Sequence, residues 1–118
     1  MIDYKVSHHI LLCATPTKAA CCLPEVGIAS WERLKILLQE FKLEKNDRAQ
    51  GIVLRSKVDC LRCCKEGPIM LIWPDGIWYG SVTPERIDSI VIEHILKGRP
   101  INEWIIKRTP QGRIFPGN

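Results

Sequence analysis

Six cysteines stand in a chain of 118 residues, in two groups: Cys13, Cys21 and Cys22, then Cys60, Cys63 and Cys64. Cysteines that serve only as small core hydrophobes scatter among the elements of a fold. Two clusters of thiols instead offer the four thiolates that a tetrahedral zinc ion or an iron–sulfur cluster requires. The opening Met1-Ile2-Asp3-Tyr4-Lys5 carries an early acid and no apolar h-region, so no signal peptide and a cytoplasmic location are expected. Thiols stay reduced there, which disfavours structural disulfides. Cys60-Leu61-Arg62-Cys63 fits one compact half of a zinc site, but the step from Cys13 to Cys21 or Cys22 is too wide for the other half. The same Cys-x-x-Cys spacing matches a dithiol redox motif, which belongs at the start of the helix after the first strand. Here it precedes a hairpin. On spacing alone a cluster, a zinc-binding structural or adaptor protein and a dithiol redox protein all stay open.

The three histidines read more simply. His8 and His9 are neighbours in a strand, so their side chains point to opposite faces and cannot share one metal. His94 falls on or beside the apolar stripe of a helix and reads as a packed core residue.

The elements that must position the thiols follow from periodicity. Residues 7–13 form a buried strand ending at Cys13, and a loop of about fifteen residues carries Pro16, Cys21, Cys22, Pro24 and Gly27. Ser30 reads as the N-cap of a helix whose stripe is Trp31, Leu34, Leu37, Leu38 and Phe41. A short strand near 51–56 precedes the cysteine-bearing 58–68, read as a loop or single turn that ends in Gly67-Pro68. Ile69–Trp73 and Ile77–Val82 around Pro74-Asp75-Gly76 predict a hairpin, with Trp73 and Trp78 paired across it. A second helix spans 83–98: Thr83 caps it, Pro84 suits its first position, Glu85 complements the helix dipole, and Gly98 with Pro100 stops it. Strand, helix, strand, hairpin, helix predicts an α/β, thioredoxin-like fold, a four-stranded mixed sheet covered by two main helices. Residues 1–100 are assigned to that domain and 101–118 to a C-terminal tail.

Hydrophobic residues at 46% and charged residues at 25% suit one soluble domain with a core of its own. The net charge of +4 is spread along the chain, so no nucleic-acid footprint is expected. No apolar run reaches the roughly 20 residues of a membrane span.

Cys60-Leu-Arg-Cys-Cys64-Lys-Glu-Gly67-Pro68, followed by Ile-Met-Leu-Ile-Trp-Pro74-Asp75-Gly76-Ile-Trp78-Tyr79-Gly80, resembles the thioredoxin-like (Shethna-type) [2Fe–2S] ferredoxins. The opening His-Ile-Leu-Leu-Cys13 and the closing Val-Thr-Pro-Glu and Glu93-His94-Ile-Leu-Lys-Gly98-Arg-Pro100 are similar to that family as well. The resemblance covers residues 8–102. It implies an electron-transfer protein rather than an enzyme, with a [2Fe–2S] cluster on Cys13, Cys22, Cys60 and Cys64. Cys21 is the alternative to Cys22, and Cys63 is a spare thiol. It further implies redox partner proteins, a homodimer to which Trp73, Trp78 or Tyr79 could contribute, and a potential of about −300 to −400 mV. Lys18, Arg62 and Lys65 lie beside these cysteines in sequence and are candidates to offset the added negative charge on reduction.

Overall fold

The computed structural model describes residues 4–13, 24–58 and 67–109. Cys21, Cys22, Cys60, Cys63 and Cys64, with Lys18, Arg62 and Lys65, lie outside the described residues.

Five strands form one mixed sheet: β1 (Val6–Cys13), β2 (Ile52–Val58), β3 (Met70–Trp73), β4 (Ile77–Tyr79) and β5 (Ile105–Arg108), in the order β2-β1-β3-β4-β5. β1 and β2 are parallel across the helix α1 (Pro24–Glu40), and the other neighbours are antiparallel. The expected four strands are thus five. Ile105–Arg108, in the segment read as a tail, pairs with β4 and forms the second edge of the sheet. A four-residue strand at an edge has no strong pattern of its own, because its stability comes from a partner far away in sequence.

α1 starts six residues before the expected cap. Gly27, Ser30, Trp31, Leu34, Leu37 and Leu38 are all buried and recur at helical spacing, so the apolar stripe runs through the glycine and the serine. Ser30 is not a cap. Its hydroxyl donates 2.6 Å to the Val82 carbonyl and ties α1 to the entrance of the second helix. Phe41, placed on the stripe by spacing, is instead exposed just past the helix end.

The second helix, α2 (Pro84–Ser89), begins as expected: the Arg86 amide donates to the Thr83 hydroxyl, with Glu85 in the first turn. It then continues as a π-helical segment, Ile90–Leu96. Ile87, Ile90, Val91 and Ile95 pack with the α1 stripe against Ile10, Leu12, Val53, Met70, Ile72, Ile77 and Tyr79, so both helices cover one face of the sheet. Arg33 on α1 binds the Asp88 carboxylate of α2 through two bonds of 2.6 and 2.8 Å. The Arg33 hydrogen bond holds the Asp88 carboxyl below the usual carboxylate range, against a smaller opposing effect of burial. A depressed folded-state pKa stabilises above the unfolded value and loses that contribution as pH falls through the folded one. Both side chains are well exposed, so the effect is screened and modest. The melting-temperature difference between wild type and Asp88→Asn is accordingly expected to shrink as pH is lowered from neutrality to below the usual carboxylate range. A constant gap across a calorimetric pH series would refute this.

The hairpin register departs from the expected aromatic pair. Ile72 faces Ile77 and Leu71 faces Trp78, so Trp73 sits opposite His9 on β1 instead. Trp78 finds other partners: its indole N–H donates 2.7 Å to the Thr109 hydroxyl, and the Lys107 ammonium stands 4.9 Å from its ring centre.

Candidate metal centre

β1 carries one candidate group at each end. Alternation along the strand puts Ile10 and Leu12 against the helices, while His9, Leu11 and Cys13 turn to the other face. Cys13, the last residue of β1, is fully buried there in a small cluster with Ile69, Val58, Trp78 and Ile106. Two neighbours fix its backbone. Its Cα is in register with Val58 at the end of β2, and its amide donates 3.0 Å to the Ile69 carbonyl at the entrance to β3.

Those neighbours matter because of what lies between them in sequence. Val58 precedes, and Ile69 follows, the stretch that contains Cys60, Cys63 and Cys64. The chain therefore leaves β2 and returns to β3 on either side of Cys13. Of the expected ligands the structure places Cys13; Cys22 and its alternative Cys21, Cys60 and Cys64 fall outside the described residues.

The other end of β1 holds a group that the sequence reading only partly saw. His94 is 1% exposed, as expected of a packed histidine, but it is also fully hydrogen-bonded. Its Nδ1 lies 2.8 Å from the Tyr79 hydroxyl and its Nε2 2.6 Å from Asp75 Oδ2. Tyr79 in turn accepts 3.0 Å from the Ile101 amide. One assignment satisfies every group: the Tyr79 O–H donates to Nδ1, and the Nε2–H donates to the carboxylate. His8 reaches the same carboxylate oxygen, at 3.9 Å, and its ring meets that of His94 edge-on at 6.0 Å. His9 does point away, as expected, and its Nε2 bonds the Ser56 hydroxyl at 2.9 Å. Asp75 read only as a turn residue and Tyr79 only as a residue of the family motif that could contribute to a dimer, so their polar roles went unseen.

Burial pushes the His8 pKa down. Asp75 opposes that, and His94 and Arg48 add to it. Burial likewise pushes the Tyr79 phenol up, partly offset by the Ile101 bond.

No protein-family model matches the chain. A 2Fe-2S ferredoxin of Clostridium pasteurianum is 29% identical over 97 residues, which take in 80% of this chain and 90% of that protein. A 2Fe-2S ferredoxin of Aquifex aeolicus is 41% identical over 56 residues, 48% of this chain, so the match spans half of that relative's length (50%). The solved structure of a thioredoxin-like [2Fe-2S] ferredoxin from Aquifex aeolicus superposes with a TM-score of 0.72 at 22% identity, covering 92% of this chain and 97% of that one. The chain is similar in sequence to 2Fe-2S ferredoxins and shares the fold of a thioredoxin-like [2Fe-2S] ferredoxin. The thioredoxin-like fold expected from the sequence is thus the fold of that solved structure, with β5 as an added edge relative to the four strands expected. Among the described residues no helix is long and apolar enough to cross a membrane.

Proposed function

We propose that the chain is a low-potential one-electron carrier whose [2Fe–2S] cluster is held by Cys13, Cys22, Cys60 and Cys64, with Cys21 as the alternative to Cys22. The observation that carries this reading is the position of Cys13 between Val58 and Ile69. Cys60 follows Val58 by two residues, and two residues of chain span at most about 7 Å. Cys64 precedes Gly67 by three residues, and α1, which follows Cys21 and Cys22, opens at Pro24. Cys13 thus lies where both cysteine-bearing stretches are tethered. Six thiols include enough soft donors for two irons, which fits the donor set of a cysteine-ligated cluster.

When bound, the cluster supplies reversible one-electron transfer. The chain's own contribution is to hold the thiolates and limit the access of water. A wall of buried Ile69 and half-buried Val58, Trp78 and Ile106 supports the Cys13 side of the site. Lys18, Arg62 and Lys65 are the cations expected to offset the charge gained on reduction. The relatives' names support this carrier over a zinc adaptor or a dithiol redox protein. Redox partner proteins, a cytoplasmic location, the lack of any enzymatic turnover of its own and a homodimer belong to the same proposal, and sedimentation equilibrium tests the last.

Protein isolated without oxygen is expected to be red-brown, to contain about two irons and two acid-labile sulfides per chain, and to titrate reductively at about −300 to −400 mV. Colourless protein with one equivalent of zinc would sink the reading.

A further inference from the structure

We infer that His8, Asp75 and His94 form a second metal site, for a single borderline divalent cation of the Zn2+ class, at the end of the sheet away from Cys13. The three donor atoms, one from each side chain, lie within 4.8 Å of one another. Ligands held about 2.0–2.2 Å from zinc stand roughly 3–3.5 Å apart. The His94–Asp75 and His8–Asp75 separations, 2.6 and 3.9 Å, bracket that value, and the His8–His94 pair, within 4.8 Å, closes to it by a side-chain movement of at most about 1–2 Å. Two imidazoles and a carboxylate are a donor set for zinc and its first-row neighbours, not for calcium or magnesium.

What distinguishes the cluster from a chance meeting of polar groups is how its rings are oriented. A metal-binding histidine usually has its second nitrogen held by a hydrogen-bond partner, which fixes the ring and aims the ligating nitrogen. Both histidines here are held in that way. The His8 Nδ1 lies 3.2 Å from the Ser7 hydroxyl, itself fixed by Arg48, and the His94 Nδ1 is on the Tyr79 hydroxyl. Both Nε2 atoms therefore converge on one oxygen, Asp75 Oδ2.

His94 lies in the π-helical segment Ile90–Leu96, a rare geometry that recurs at functional sites. Asp75, in the β3–β4 turn, is partly exposed and leaves the ion a way in from solvent. Binding exchanges one hydrogen bond, His94 Nε2 to Asp75, for three coordination bonds. The His94 proton moves from Nε2 to Nδ1, and the Tyr79 hydroxyl changes from donor to acceptor, which its second lone pair permits. Five residues of β1 separate His8 from Cys13, about 16 Å along the strand, and the two side chains point to opposite faces. The site is therefore distinct from the cysteine centre, and it does not depend on what the cysteines hold.

The test is titration of the iron-loaded protein with ZnCl2, followed by calorimetry and by long-range 1H–15N spectra of the imidazoles. The chain has only three histidines, and thiol-bound zinc does not move their signals. We expect one equivalent to bind, with His8 and His94 Nε2 shifting and His9 unmoved. His8→Gln and Asp75→Asn should each weaken that binding by roughly 100-fold or more, while iron content stays unchanged, and His9→Ala should have no effect. The inference is overturned if millimolar zinc leaves both signals in place, or if the affinity survives in both variants.

Discussion

Cys60→Ser and Cys64→Ser are each expected to strip the protein of most of its iron and acid-labile sulfide, while Cys63→Ser retains both. The reasoning is geometric before it is chemical. Cys13 is fixed between the end of β2 and the entrance to β3, and the stretch bearing the three later cysteines is anchored on both sides of it. Four thiolates suffice for the cluster, so two of the six cysteines are surplus. The family resemblance assigns Cys60 and Cys64 as ligands and leaves Cys63 in the gap between them. Serine offers a hard, poorly ionised oxygen in place of a soft thiolate, which costs an iron its preferred donor. Iron and sulfide assays on the three purified variants, each melted to confirm folding, decide the matter. Loss of both elements in Cys63→Ser, with retention in the other two, would reverse the assignment. Cys21→Ser and Cys22→Ser, made in parallel, distinguish the two candidates for the remaining ligand.

Tyr79→Phe is expected to destabilise the fold by about 2–4 kcal/mol, although it removes a single atom. Tyr79 is fully buried, and the phenylalanine ring keeps its packing, including the edge-on contact with His94 at 5.7 Å. Its hydroxyl, however, serves two partners, the buried His94 ring and the half-buried Ile101 amide. Without it both lose their partner, at about 1–3 kcal/mol for an orphaned group, the buried His94 ring bearing the larger share. This exceeds what the exposed Arg33–Asp88 pair contributes, although that pair has two short bonds, because solvent screens the one and not the other. Urea denaturation reads the loss as a lower midpoint with an unchanged slope. A loss below about 0.5 kcal/mol would mean that water replaces the hydroxyl.

These effects fall in the regions where the sequence was hardest to read. The hairpin was legible because Pro74-Asp75-Gly76 encodes its own turn, and Gly76 takes a positive φ of 67° there. The Thr83-Pro84-Glu85 entrance of α2 was legible for the same local reason. The first two turns of α1 were not. Gly27 and Ser30 signal a break and a cap in isolation, yet both occupy the buried face, where small side chains fit beneath a neighbour. Register was also misread, since the loop between Ile72 and Ile77 moves Trp73 and Trp78 out of line. Cys13 as the end of a buried strand was readable from its apolar run. The Asp75–His94–Tyr79 chain was not, because its members are brought together by packing across 15 and 19 residues of sequence rather than by any pattern along it.

The two outermost strands, β2 and β5, have one further consequence. The first carries Arg55 and Lys57, drawn over the Trp31 ring at 4.9 and 5.6 Å, and the second exposes Lys107 and Arg108. Two molecules approaching rim to rim would bring guanidinium and ammonium groups against one another, so these cationic borders resist the stacking that builds fibres. That protection is an ionic one: it is strongest in dilute buffer, where the field reaches about 30 Å, and fades as added electrolyte shortens that range to about 3 Å.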